Sequence, residues 1–122
     1  MSFLSSRAEE FLEQARFAYE RGYYDLVMFN VGQFMQLKLK SLLYSLIGDY
    51  PKTHKSTQLF MEVIKILNNK CDLEDFYSRN REIILLLEFA YIASRYMPPR
   101  FNRDDADKAL NVQGISMRWL NA

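Results

Sequence analysis

The sequence predicts an all-α protein: an up-and-down bundle of four long helices with a shorter C-terminal helix. Apolar residues recur every three or four positions through most of the chain, which is the period of an amphipathic helix. No segment shows the alternating pattern of a strand, and no internal repeat is present. The 122 residues are the length of one ordinary domain. Residues 1–122 are therefore expected to form a single helical domain.

The first two predicted helices form a hairpin around a glycine. Leu4, Ala8, Phe11 and further apolar residues at a spacing of three and four predict helix one at about residues 3–21. Gly22 is expected to end it in a left-handed conformation. The second helix, Leu26 to Ile47, is apolar on almost all sides, so it is predicted to lie at the centre of the bundle. Asp25 precedes it, where an acidic group suits the helix dipole.

The remaining helices are separated by polar connections. Residues 49–56 form the first one, helix three follows with its apolar stripe from Leu59 to Leu67, and Asn68-Asn69 closes it. The segment CDLEDFYSRNRE is ambiguous between a loop and an early turn of helix four. Asn102 is a good cap for helix five. Helix four carries Ile83, Leu86, Leu87, Ala90, Tyr91 and Ser94 along one face, and helix five carries Ala106, Ala109, Leu110, Met117 and Leu120, with Gly114 weakening it.

The composition excludes several classes of function. Sixteen basic residues face fifteen acidic ones, so the chain has no long-range field that would steer it to nucleic acid or an anionic membrane. The lone Cys71 excludes an internal disulfide and fits a reducing cytosol. The first residues lack a secretion-signal pattern, and charged or amide residues interrupt both long apolar runs. We therefore expect a soluble, cytoplasmic protein with no membrane span.

No standard catalytic or cofactor motif is present. One histidine, His54, and one cysteine cannot form a zinc site unaided, and the scattered glycines make no phosphate-binding loop. We therefore predict no metal and no cofactor. A lone histidine in a polar connection is usually a surface or capping residue. Lys38 and Lys40, inside an apolar helix, are interpreted as side chains that reach back to solvent rather than as ligands. Nine Phe and eight Tyr exceed what one small core hides, which indicates a contact with a second copy or another protein.

The connection after helix four is the strongest candidate site. In AYIASRYMPPRFNRDDA, residues 90–106, three arginines and the aromatic residues Tyr96 and Phe101 lie around Pro98-Pro99. One interpretation is structural: Arg95 pairs with a neighbouring carboxylate and Tyr96 packs. The other is an anion pocket for phosphate, formed by Arg95, Arg100 and Arg103, in which Tyr96 or Phe101 stacks on a base. In an up-and-down bundle the connection after helix two lies at the same end, so Lys52, His54 and Lys55 are expected to join the site.

Four stretches, in order along the chain, resemble the HEPN family (higher eukaryotes and prokaryotes nucleotide-binding). The first stretch is an acidic amphipathic helix, a short Gly-Tyr-Asp turn and a second helix that ends in a Leu- and Lys-rich run. The second stretch is a polar connection with a Thr-His pair. A helix ending in Tyr-Ile-x-x-Arg-Tyr and a final helix opening with Asp and Ala residues complete the pattern. The stretches are RAEEFLEQARFAYERGYYDLVMFNVGQFMQLKLKSLL, GDYPKTHKSTQLF, EFAYIASRYMPPRF and RDDADKAL.

The resemblance implies an all-α bundle that commonly forms homodimers. Many members pair with a minimal nucleotidyltransferase as halves of a toxin–antitoxin module, and others are metal-independent ribonucleases with an Arg followed four to six residues later by His. Neither Arg79 nor Arg95 is followed by a histidine at that spacing. We therefore expect a non-catalytic, homodimeric module that binds nucleotide or RNA phosphate, with a nucleotidyltransferase as its protein partner. Two alternatives stay open: a divergent ribonuclease that uses Arg95 and His54, and a dimeric scaffold without a ligand.

Overall fold

The computed structural model describes the backbone of residues 2–68 and 73–120 and the side chains of residues 3–68 and 73–112. These residues form six helices and, within those ranges, no strand, which confirms the all-α fold. The predicted count of helices was low by one. The helices are α1 (Ser2–Glu20), α2 (Tyr24–Ile47), α3 (Ser56–Leu67), α4 (Leu73–Arg79), α5 (Arg81–Tyr96) and α6 (Arg103–Leu120).

The turn between α1 and α2 is made by Gly22, as predicted. Its φ of 74° lies in the left-handed region, which glycine enters without the steric cost of a Cβ atom. The backbone amide of Gly22 donates to the carbonyl of Tyr19, and that of Tyr23 donates to the carbonyl of Ala18 at 2.9 Å. These two bonds satisfy carbonyls that the end of a helix otherwise leaves without partners. The tight turn reverses the chain, so that α1 packs against α2.

The helix α2 lies at the centre of the bundle, which confirms the prediction from its apolar surface. It packs against α1, α3, α5 and α6. Phe34, Met35 and Leu39 are fully buried, and so are residues on its other faces. Gly48 ends the helix in the left-handed conformation, where its amide donates to the carbonyl of Tyr44 at 2.8 Å. Of the described part of the chain, no helix is long and apolar enough to cross a membrane.

The helices α2 and α5 run antiparallel and approach each other closely. The hydroxyl of Ser94 donates to the carbonyl of Asp25, and the ring of Phe29 stacks on that of Tyr91. Further along, a Cβ atom on Gly32 would lie 3.1 Å from the carbonyl oxygen of Leu87. Pairs 25–94, 29–91 and 32–87 thus follow one another in opposite directions along the two helices. The C-terminal end of α5 therefore lies beside the start of α2.

The helix α3 runs in the same direction as α2, because it too is antiparallel to α5. His54 contacts Tyr91, and Thr57 bonds to Glu88. From the first contact to the second, residue numbers rise towards α3 and fall along α5, so the two segments are antiparallel. The connection of residues 48–55 consequently returns alongside α2. Tyr50 marks this path, since its ring packs near the amine of Lys40. The connection reaches the C-terminal half of α5 by this return, and not by simple alternation of helix directions.

The ambiguous segment before α5 contains a short helix, α4. Phe76 is buried and its ring lies 6.2 Å from that of Phe60 on α3, while the ring of Tyr77 lies 5.3 Å from the same ring. These aromatic contacts hold α4 on α3. Asn69 and Cys71 lie outside the described residues, and so do the side chains of Met117 and Leu120, which belong to the last predicted stripe.

Candidate functional site

The ring of Tyr91 contacts one basic side chain from the connection before α3 and another from the last turn of α5. The imidazole of His54 stacks on it, with ring centres 4.3 Å apart and an angle of 18° between the planes. The Nε2 atom of His54 also lies 3.2 Å from the hydroxyl oxygen of Tyr91. The guanidinium carbon of Arg95 lies 4.4 Å from the centre of the same ring. We call these three residues, His54, Tyr91 and Arg95, the Tyr91 cluster.

Arg95 is held by its own helix and by aromatic rings. Its Nε atom donates to the carbonyl of Tyr91 at 3.0 Å, at the C-terminal end of α5, where a cation is favoured by the helix dipole. Its guanidinium also lies 5.1 Å from the ring of Tyr96 and 5.6 Å from that of Phe29. Such contacts between a cation and ring faces orient the group without using its outer donors. The planar fork is thus fixed in direction and exposed to solvent.

The structural interpretation of this segment expected a carboxylate partner for Arg95 and packing for Tyr96. Among the side chains that the structure describes, the ion pairs involve Arg7, Lys38, Arg79 and Lys108, and none of them involves Arg95. Tyr96 is 72% exposed. Within the described ranges, the observed geometry therefore differs from that interpretation. Arg95 presents its charge to solvent beside an exposed aromatic ring.

The position of His54 depends on how α3 begins. Lys55 is the N-cap residue of α3 and makes no side-chain hydrogen bond to the helix. Instead Glu88, on α5, accepts hydrogen bonds from the amide of Thr57 at 3.0 Å and from its hydroxyl at 2.8 Å. A carboxylate is favourable at a helix N-terminus because the amides there lack partners in the helix. This contact ties the start of α3, and the residues just before it, to α5.

The other predicted basic residues are divided between several positions. Lys52 and Lys55 are exposed on either side of His54 in the same connection. Arg100 extends towards Phe89, with 5.5 Å between its guanidinium carbon and the ring centre. The backbone amides of Arg100 and Phe101 donate to the carboxylate of Asp25, which therefore fixes the α5–α6 connection to the start of α2.

Arg103 lies apart from the Tyr91 cluster. Its Nε atom donates to the hydroxyl of Tyr19 at 3.0 Å, and that hydroxyl in turn donates to the carboxylate of Asp107. The hydrogen bond with Tyr19 raises the pKa of Arg103 above its usual value, with electrostatic contributions from Tyr19, Tyr24 and Asp107. The side chain therefore joins α6 to α1. The three arginines predicted to share one pocket contact different rings: Arg95 contacts Tyr91, Arg100 contacts Phe89 and Arg103 contacts Tyr19.

Sequence reasoning did not identify Tyr91 and Glu88 as parts of this arrangement. A signal was present, because Glu88, Tyr91 and Arg95 follow one another at spacings of three and four and so lie on one face of α5. The contact of that face with residues 54–57 depends on the return path of the connection after α2. No local pattern in the sequence indicated that path.

A row of exposed apolar side chains runs beside the cluster on α5. Leu85, Phe89, Ile92 and Tyr96 are between 42% and 72% exposed, and their spacings of four, three and four place them on one side of the helix. We call these four residues the α5 stripe. Contiguous exposed apolar surface is typical of a contact with another molecule. The aromatic content of the sequence predicted such a surface without locating it.

Within the described residues, no group of three or more His, Cys, Asp or Glu side chains is arranged to hold a metal ion. Comparison with known families gives one finding: the model of the HEPN domain matches residues 1–121. This match confirms the resemblance noted in the four stretches of sequence. Searches of curated proteins and of solved structures found no match.

Proposed function

Since this chain belongs to the HEPN family, we propose that it is a non-catalytic module that binds the phosphate group of a nucleotide or RNA at the Tyr91 cluster. Family membership supports a nucleotide- or RNA-related role in general terms. The observation that carries the proposal is that an exposed arginine fork and an imidazole meet on one aromatic ring. The arginine comes from the last turn of α5 and the imidazole from the connection before α3.

The cluster offers the groups that phosphate recognition needs. The guanidinium of Arg95 matches two phosphate oxygens by its forked geometry, and its contacts with Tyr91 and Tyr96 hold it in one direction. His54 supplies a ring nitrogen beside it. Lys52 and Lys55 add positive charge on either side. The exposed ring of Tyr96 is a surface on which a base can stack, which contributes about 1–3 kcal/mol in other single-strand sites.

The presence of a single imidazole favours binding over catalysis. Cleavage of RNA without a metal requires one group to take the proton of the 2′-hydroxyl and another to give a proton to the leaving 5′-oxygen. His54 is the only histidine of the chain. Arginine effectively never releases its proton, so Arg95 stabilises charge but does not transfer a proton. The cluster therefore holds one imidazole for the two tasks, beside the hydroxyl of Tyr91, a weaker acid.

A ribonuclease remains the second candidate, because His54 and Arg95 contact the same ring. In that reaction the imidazole of His54 takes the 2′-hydroxyl proton and the 2′-oxygen attacks phosphorus. The bond to the 5′-oxygen breaks, and that oxygen takes a proton from solvent. The products are a 2′,3′-cyclic phosphate and a free 5′-hydroxyl. Arg95 would stabilise the charge on the phosphorane that forms between these steps.

The test is incubation of the purified protein with mixed single-stranded RNA in EDTA, alongside Arg95→Ala, His54→Ala and Arg103→Ala. The binding module predicts no cleavage by any of the four proteins, together with RNA retention that is weakened in the first two variants and kept in Arg103→Ala. Cleavage by the wild type and Arg103→Ala alone would establish the ribonuclease. Absence of both cleavage and binding in every protein would leave a scaffold without a ligand.

We further propose that the module is a homodimer and that its protein partner is a minimal nucleotidyltransferase, as in the toxin–antitoxin pairs that the family resemblance implies. The α5 stripe supports a protein contact, since aromatic side chains with arginines beside them are typical of interface centres. Sedimentation velocity of Ile92→Ser and of Met61→Ser, an equally exposed apolar residue on α3, tests the dimer. We expect dissociation in the first variant and none in the second. A monomeric wild type would contradict the homodimer.

A further inference from the structure

We propose that Glu88 is the positioning residue of the Tyr91 cluster: by capping α3 it holds the imidazole of His54 on Tyr91. This inference rests on the proposed phosphate-binding function and adds to it a residue that touches no ligand. Glu88 lies one turn before Tyr91 and two turns before Arg95 on the same face of α5. Its carboxylate binds the chain three residues after His54.

The segment from His54 to Thr57 makes two contacts with α5, and the spacing between them is the same on both segments. His54 and Thr57 are three residues apart, and their respective partners Tyr91 and Glu88 are also three residues apart. A connection joined to α5 only by the ring of His54 would rotate about that contact. The second contact, with two hydrogen bonds to one carboxylate oxygen, removes this freedom. It therefore fixes the backbone from which the imidazole extends, while the contact with Tyr91 orients the ring.

The bond to Glu88 is also the means by which α3 receives a cap. Lys55 occupies the N-cap position with an extended backbone and no side-chain cap, so the first turn of α3 depends on a group from outside the helix. Glu88 is half-buried, and its carboxylate binds both the amide and the hydroxyl of Thr57. Loss of this carboxylate allows the first turn of α3 to fray. His54, two residues before that turn, then loses its register with Tyr91.

The single histidine gives a direct readout. Its ring signal in a ¹H–¹³C spectrum is unique in the chain, and stacking on Tyr91 shifts it upfield through the ring current. In Glu88→Ala we expect this signal to move towards the position of a histidine in an unfolded peptide, without ligand present. Glu88→Gln and Thr57→Ser keep hydrogen-bonding groups at these positions and should retain most of the upfield shift. The helical circular dichroism signal identifies any variant that fails to fold.

Affinity for adenosine 5′-monophosphate, measured by NMR titration, provides the second readout. We expect Glu88→Ala and His54→Ala each to weaken binding by about threefold to tenfold, and the double variant to bind no more weakly than His54→Ala alone. Additive losses, or an unmoved histidine signal in folded Glu88→Ala, would overturn the positioning role. If the signal moves but no variant differs from the wild type in binding, the phosphate-binding function itself fails while the structural contact stands.

Discussion

Two cations of this protein lie beside aromatic rings in opposite environments. The amine of Lys38 is 5.9 Å from the ring centre of Phe34, at the interface of α1 and α2, and its side chain is only 5% exposed. It donates to the hydroxyl of Ser5 at 2.7 Å and forms an ion pair with Glu9 at 3.0 Å. Arg95 also lies on rings but is exposed, and none of the ion pairs among the described side chains includes it.

The comparison shows that a cation on an aromatic ring does not by itself mark a binding site. The donors of Lys38 are directed to groups of the protein, so its charge stabilises the packing of α1 on α2. The sequence interpretation of Lys38 as a side chain that reaches solvent was wrong, because its side chain is buried and bonds to Ser5 and to the exposed Glu9. Arg95 has the same kind of ring contact but keeps outer donors available. Access to solvent distinguishes the two.

The largest effect on stability is expected from Lys38→Ala. This change removes a buried aliphatic chain and the donors to Ser5 and Glu9, which should cost about 2–4 kcal/mol of unfolding free energy. Urea unfolding monitored by circular dichroism measures the loss. Lys38→Met keeps the packing of the aliphatic chain and should lose less, because the carboxylate left without its partner, that of Glu9, is exposed to solvent. If Lys38→Ala lost no more unfolding free energy than a typical surface substitution, the contrast between Lys38 and Arg95 would be contradicted.

Arg95→Lys should separate charge from geometry at the exposed site. The lysine keeps the positive charge but loses the planar fork and part of its stacking on Tyr91, so binding of adenosine 5′-monophosphate should weaken by about fivefold. The unfolding free energy should change by less than about 0.5 kcal/mol, as for other surface substitutions. Unchanged affinity would show that the site reads only charge, and the role assigned to the fork would then be lost.

The smallest effect concerns Lys40, a third cation beside a ring, 5.8 Å from the centre of Tyr50. Burial lowers the pKa of Lys40 from its usual value of 10.5. Between the lowered pKa and 10.5 the unfolded chain binds more protons than the folded one, so stability contributed by this group rises with pH there. Unfolding free energies across that interval should rise slightly more in the wild type than in Lys40→Met. Parallel pH profiles would contradict this.

The sequence predicted the helices better than it predicted the site. Apolar periodicity and the glycines at 22 and 48 were sufficient to predict α1 and α2, because these signals are local. The seven-residue α4 was missed, since two turns are too short for a period to be recognised and its stability comes from Phe60 on α3.

The contacts among the candidate residues were predicted in part. His54 and Arg95 were both named from the sequence, and the structure brings them to one ring. Arg103 was grouped with Arg95 because the two are close in sequence, but its side chain bonds to Tyr19 on α1. The roles of Tyr91 and Glu88 depend on the path of residues 48–55 along α2, and contacts of that kind follow from tertiary packing.

The most direct test is a titration of three proteins with adenosine 5′-monophosphate, followed through the ring signal of His54: the wild type, Arg95→Ala and Arg103→Ala. Both variants remove one exposed arginine near the same connection, so their effects on net charge are matched. A binding site at the Tyr91 cluster predicts about tenfold weaker binding in Arg95→Ala and wild-type affinity in Arg103→Ala. Equal affinities in the two variants, or a histidine signal that does not respond to the nucleotide in the wild type, would contradict it.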